Sequence, residues 1–294
     1  MNNRLLYLFA LMNTVLLLGS ANTYAQRNEL GAQFFQNQYL LNPAMAAVND
    51  GWEVNLGYRQ QFEEVFGAAS MQVITAAYRF KKVGLAINAS NDKIGLLQRT
   101  RVMATYSYHL PLNGDNEELH FGLSMGTLNE RIDEHSIIGD EGDPLIGRFN
   151  ERGMYADGDF GIAYTNKELT LQVSLPNLRT AFIKEDQNVL TNTVFFSAIS
   201  YKVGLGNLAN VFTVEPKLSY RALKGYEEDM IDVGGLLNFD QFSLQAIYHN
   251  SKSITVGFNI YRISEFSFLG LYNTDTSALS RQGENIELGI QWAL

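Results

Sequence analysis

The sequence predicts an all-β chain: a transmembrane outer-membrane β-barrel of about fourteen antiparallel strands, preceded by a short N-terminal periplasmic or plug segment. Three observations carry that expectation. From Trp52 onward, apolar and polar residues alternate with a period of two, the spacing of strands with one face in lipid and the other in a polar lumen. The chain also ends on such a run. In residues 284–294, Ile286, Leu288, Ile290, Trp292 and Leu294 share one face, opposite Asn285, Glu287, Gly289 and Gln291. A free soluble terminus is usually polar and frays, so this run reads as the strand that closes the barrel. Finally, the connections between runs tend to alternate between short and long, as periplasmic turns and outer loops do.

Composition agrees. Charged residues make up 18% of the chain, below the globular norm of about 25%. Aromatics reach 12%, and 25 Gly stand against 5 Pro, the balance of a β-rich chain. A mean hydropathy of −0.11 is too polar for a helical membrane protein, but it is what half-lipid, half-lumen strands average to.

The N-terminus reads as a signal peptide over 1–25: cationic at Arg4, apolar over 5–18, then Ser20 to Ala25 as a small-residue cleavage region. The apolar run is shorter than the roughly 20 residues of a spanning helix. The absence of Cys excludes a lipoprotein signal, disulfides and thiol chemistry. Cleavage removes Arg4 and no acid, taking the formal charge from −9 to −10, which argues against a nucleic-acid partner. The expected domains are 1–25, an N-terminal periplasmic or plug segment over 26–51, and the barrel over 52–294.

Segment 26–51 does not alternate. It carries the polar-aromatic run 33–47, whose candidate plug or partner residues are Phe34, Phe35, Gln38, Tyr39, Asn42 and Pro43. A lead-in packed on the barrel rim is the structural alternative. Strands are then expected over 52–59, 71–80, 83–90, 101–110, 119–126, 159–165, 169–175, 193–203, 212–220, 231–239, 242–249, 254–261, 266–272 and 284–294. Pro216 interrupts one of them, which normally marks an edge or a bulge. The even connections 81–82, 165–168, 238–241 and 262–265 are short. The odd ones 61–70, 128–158, 176–192 and 273–283 are longer, and 249–252 breaks the pattern.

The stretch 128–158 is rich in acids: Glu130, Asp133, Glu134, Asp140, Glu141, Asp143, Glu151 and Asp157 against Arg131, Arg148 and Arg152. It is an outer loop, a Ca²⁺ site or a docking surface, but it lacks an EF-hand spacing. Residues 204–209 superficially fit a dinucleotide fingerprint; with no βαβ unit around them they read as a Gly-rich turn. His109, His120, His135 and His249 show no metal-ligand spacing and are expected in polar networks, so no metal, cofactor or catalytic residue is assigned. The Gly-x-Ser-x-Gly run at 122–126 falls inside the strand expected over 119–126 and not at a strand-to-helix turn, so it is not a nucleophile elbow. Glycines at Gly57, Gly84, Gly122, Gly126, Gly161, Gly257, Gly270 and Gly289 are expected to relieve crowding in a tightly curved sheet.

Two stretches carry a family resemblance. The run 36–44, Gln-Asn-Gln-Tyr-Leu-Leu-Asn-Pro-Ala, resembles the opening of mature PorP/SprF proteins of type IX secretion. The runs 159–164 and 173–178 resemble the family's mid-barrel segment. Residues 45–47, Met-Ala-Ala, depart from the family's usual phrase. The resemblance implies a Bacteroidetes-type outer-membrane barrel with no enzyme activity. Its implied partners are outer-membrane lipid, other type IX secretion or gliding components and, for some members, a large surface adhesin. Two other classes compete: a transport barrel for a small or hydrophobic solute of the fatty-acid-transporter kind, and a barrel enzyme acting on lipid.

Overall fold

The computed structural model describes residues 31–61, 67–112, 117–133, 144–151, 153–182, 192–205, 212–224, 229–275 and 284–294. The expected signal peptide and the first residues of segment 26–51 lie outside them. So do His135, Glu134, Asp140, Glu141, Asp143 and Arg152, and most of the Gly-rich turn over 204–209.

Among the described residues the alternating runs form one antiparallel sheet of β1 (Gly51–Gln61), β2 (Ser70–Phe80), β3 (Val83–Ile94), β4 (Leu97–Pro111), β5 (Glu118–Ile132), β6 (Tyr155–Thr165), β7 (Leu169–Leu175), β8 (Asn192–Tyr201), β9 (Phe212–Lys224), β10 (Met230–Phe239), β11 (Phe242–His249), β12 (Ser253–Ile263), β13 (Phe266–Asp275) and β14 (Asn285–Ala293). The two-residue stretch Val203–Gly204 continues β8 beyond Lys202. Each strand pairs with its neighbour in sequence, and β14 pairs with β1, giving a closed barrel of fourteen staves. The seam is stitched to the last residue: the Trp52 amide donates to the Leu294 carbonyl at 3.1 Å, and the Leu294 amide to the Trp52 carbonyl at 2.9 Å. Closure removes the unpaired edges that an open sheet would expose.

The faces sort as the period-two pattern predicts. Leu56, Ile74, Leu85, Ile87, Leu123, Val256, Phe258, Leu288 and Ile290 point outward and are exposed, while Asn55, Thr75, Ser107, His109, Gln172, Ser243, Asn259 and Glu287 point inward and are buried. An apolar exterior around a polar interior is the inverse of a soluble β-sandwich and suits lipid.

One end of the barrel carries the short turns after β2, β6, β10 and β12, together with residues 49–50 and Leu294; it is called the turn end. The other end carries the longer connections. Strands overrun the expected loops there. β4 and β5 reach the two-residue turn Gly95–Leu96 and Ile132, so Glu130, expected in an irregular loop, is a strand residue with its carboxylate 3.7 Å from Arg99. A short helix, α1 (Pro144–Asn150), lies beyond: the Asn150 side chain accepts from the Ile132 amide at 2.8 Å and donates to its carbonyl at 3.0 Å, prolonging the β5 edge. A second, α2 (Leu178–Phe182), follows β7. Pro216 sits inside β9, at the gap in the β8 ladder where Lys202 leaves the strand and donates its amide to Glu168 O at 2.6 Å. The missing Pro N–H falls where no ladder bond is made.

Candidate functional site

Residues 33–48 lie inside the barrel. Three short 3₁₀ turns, Gly31–Phe35, Gln38–Leu40 and Pro43–Met45, fold the segment into a compact body ahead of β1. The last turn explains the Asn-Pro pair: Asn42 caps it by accepting from the Ala44 amide at 3.0 Å, and Pro43 occupies the first helical position, where its missing N–H costs nothing. Asn42 is fully buried. Its amide nitrogen donates to Ile162 O at 3.3 Å and to Gln172 Oε1 at 3.4 Å.

The wall meets the segment with matching polar groups. Gln172 donates to Gln38 Oε1 at 2.7 Å, and Ser174 to Leu41 O at 2.6 Å. Asn37 donates to Thr75 at 2.9 Å, Ser107 donates to Ala46 O at 2.8 Å, and Arg79 reaches Val48 O. The Tyr39 hydroxyl lies 2.6 Å from Thr105, which in turn lies 2.7 Å from Ser124. Burial pushes the Tyr39 phenol up to about 12, so it stays a neutral hydrogen-bonding group.

The apolar anchor is Phe34, buried against Phe196 and set edge-on to Phe35 at 5.5 Å. The Lys217 Nζ sits 3.2 Å from the Phe34 ring centroid, a contact in which the amine belongs to the wall and the ring to the segment. All six residues singled out in the sequence are therefore inside the lumen. Phe34 and Phe35 face β8 and β9, Tyr39 faces β4, and Gln38, Asn42 and Pro43 face β5 to β7.

The structure gives several interior glycines a reason other than relief of sheet crowding. A Cβ at Gly122 would overlap the Pro43–Ala44 peptide, and one at Gly161 would overlap the Asn42 side chain. Gly57, Gly84 and Gly289 are approached in the same way by Gln33, Ala46–Ala47 and Gln36. All five sit on the inward phase of their strands, which was the available cue. Gly126, Gly257 and Gly270 meet only the barrel wall and fit the original expectation.

The segment divides the lumen. On the loop side is a cavity of about 110 Å³ lined by Leu40–Pro43, Asp92, Arg99, Arg101 and Asp159. On the turn side is a larger one, about 590 Å³, lined by Gln36–Tyr39, Met45, Asp50, Arg79 and Glu118. Three described acids of the 128–158 stretch, Glu130, Asp133 and Asp157, are held in ion pairs and hydrogen bonds. Arg101 lies 3.7 Å from Asp157 and 2.6 Å from Asp159, Lys93 lies 3.9 Å from Asp133, and Asp157 accepts from the Arg179 amide at 3.0 Å.

Polar networks also hold the described histidines. His249 Nδ1 lies 2.5 Å from Asp232, and its Nε2 lies 2.8 Å from Thr255, the order of a charge-relay chain. The Thr255 hydroxyl is fully buried in the wall and also accepts from Asn273 at 3.0 Å, so the chain ties β10, β11, β12 and β13 together and presents no nucleophile to the lipid side. His109 and His120, far apart in the expected strands, are cross-strand partners in the β4–β5 ladder with Nδ1 atoms 2.7 Å apart. Spacing along the chain did not reveal this, because register brings them together.

A family model described as "Type IX secretion system membrane protein PorP/SprF" matches residues 23–292. No curated protein matches the chain. Among solved structures, the chain is similar to the outer membrane protein Omp33 of Acinetobacter baumannii, at 8% identity over 83% of this chain and 98% of that one, with a TM-score of 0.50. It is similar to the toluene transporter TodX of Pseudomonas putida at 7% identity over 94% and 95%, again with a TM-score of 0.50. At such identities the likeness is one of fold: a membrane barrel.

Proposed function

Because the chain belongs to the PorP/SprF family of type IX secretion system membrane proteins, we propose that it is a non-enzymatic outer-membrane component of that machinery, supporting the export or anchoring of surface proteins. In this reading the turn end faces the periplasm, as the short connections of bacterial barrels do. Residues 33–48 act as a lumen plug that keeps the barrel closed while its periplasmic rim engages other secretion components. The observation that carries the reading is the filled lumen. Asn42, Tyr39 and Phe34 are buried against the wall from several sides, so the barrel's value lies in its surfaces and its plug rather than in an open pore.

The test is a strain expressing the chain without residues 31–48. The barrel is expected to assemble, shown by heat-modifiable mobility in gels, while type IX secretion fails and cross-links to secretion partners are lost. Intact secretion and unchanged cross-links in that strain would overturn the plug's role. The competing reading, a transport barrel for a small or hydrophobic solute, predicts instead that uptake into vesicles reconstituted with the full chain exceeds that of empty vesicles.

A further inference from the structure

The geometry points to a divalent transition-metal site of the zinc type, built from His109, His120 and Glu118 at the turn-end rim of the lumen. One ligand atom from each lies within 4.8 Å of the other two. The arrangement follows from the hairpin. His109 and His120 face each other across the β4–β5 ladder, and Glu118 stands two residues before His120 on the same inward phase.

The hydrogen bonds around the site fix which nitrogens face it. Ser107 donates its only proton to Ala46 O at 2.8 Å, so at His109 Nε2, 3.1 Å away, its oxygen must accept. The His109 proton is therefore on Nε2, and Nδ1 is a bare lone pair. His120 sets its Nε2 2.8 Å from the Thr165 hydroxyl and turns its Nδ1 inward, where the Nδ1 proton bonds the bare His109 nitrogen and must leave when a metal binds. The two Nδ1 atoms converge to 2.7 Å, and Glu118 Oε2 lies 3.9 Å from His120 Nδ1. Arg79 forks onto both carboxylate oxygens at 2.5 and 3.0 Å, holding Glu118 in place.

Two imidazole nitrogens and one carboxylate oxygen are the donor set of a zinc-type centre with an open position. Each donor is already oriented by an outer partner, as metal ligands usually are. Ligands about 2.0–2.1 Å from a tetrahedral ion stand about 3.3 Å apart, so loading the site needs the two Nδ1 atoms, now 2.7 Å apart, to part by about 0.6 Å while Glu118 closes in. Of the three ligands, Glu118 lines the turn-side cavity, whereas His109 and His120 are fully buried. Among the described residues, the wall of that cavity includes Asp50, Glu53, Glu117 and Glu118 against the single base Arg79, a balance that concentrates cations there. Ser107 bonds both His109 and the backbone of the lumen segment, so the ion would sit directly behind the segment's exit.

The experiment uses tag-free full-length protein in detergent, stripped with a chelator and then dialysed. Titration with Zn²⁺ is expected to show one equivalent bound. Cu²⁺ loading is expected to give an electron paramagnetic resonance spectrum split by two imidazole nitrogens. His109→Gln and His120→Gln should each abolish stoichiometric binding, Glu118→Gln should weaken it at least tenfold, and His249→Gln should leave it unchanged. The wild-type copper spectrum does not depend on any variant folding. Sub-stoichiometric zinc, a copper spectrum without paired nitrogen splitting, or binding that survives both His variants would each overturn the site and leave a histidine–histidine hydrogen bond.

Discussion

Asn42 is where the lumen segment is most exposed to a single change. Its side chain caps one 3₁₀ turn and bonds the wall at Ile162 and Gln172. Asn42→Ala strands a buried acceptor on Gln172 and removes the cap, a loss of about 1–3 kcal/mol. Protease cleavage within 33–48 should accelerate about five- to 100-fold at that cost, and an unchanged rate would mean that Asn42 does not hold the segment. Gly122→Val approaches from the wall side: its side chain must displace the Pro43–Ala44 peptide, and overpacking of this kind costs about 1–3 kcal/mol. Tyr39 adds a pH signature. Its phenol titrates at about 12 when buried, against an unfolded value of about 10. A raised pKa means the contribution is intact below the unfolded value and is lost as pH climbs through the folded one. The segment should therefore loosen between about pH 10 and 12; Tyr39→Phe, compared by the same cleavage assay, should abolish that window. The six candidate residues were legible as a non-alternating amide-aromatic run. Their wall partners Gln172, Lys217 and Gly161 were not, since each reads as an ordinary inward strand residue until the segment is laid against it.

At the level of elements, the closing strand does the work its alternation suggested. Leu288 and Ile290 of β14 are exposed on the outside, whereas Glu287 on the same strand is buried inside. Leu288→Arg near mid-strand should cost about 2–4 kcal/mol in the bilayer. The outcome to measure is a drop in the heat-modifiable folded band, with Gln291→Arg on the inward phase affected less. Strand existence and phase could be read almost everywhere, because lipid on one side and a largely polar lumen on the other impose period two, although apolar residues such as Met103, Ile247 and Leu269 also face inward. Strand ends could not. Once both faces of a long hairpin such as β4–β5 turn polar beyond the lipid, the alternation fades while backbone pairing continues to Ile132. The same limit hid the His109–His120 pair, whose meeting depends on a register that only the turn between them sets.

For the whole molecule, the decisive property is what fills the barrel. Full-length protein in a planar bilayer should show little steady conductance, and protein lacking 31–48 should open a persistent pore through the joined cavities; equal conductance of the two would place the barrier elsewhere. Barrel architecture was legible from parity, loop lengths and composition, all of which are summed along the chain. The filled lumen was legible only as one of two alternatives, a plug or a lead-in on the rim, because it is a contact between one short stretch and strands scattered over the sequence. The order of those contacts also bears on biogenesis. The segment precedes β1 without a linker, and β1 is one lip of the seam that β14 seals. The lumen contents and one lip of the seam are therefore consecutive in the chain, so seating the segment and sealing the barrel act on the same stave. In the closed barrel the segment stays tethered to β1 at the turn-end mouth, so whatever displaces it works against a fixed hinge at that rim.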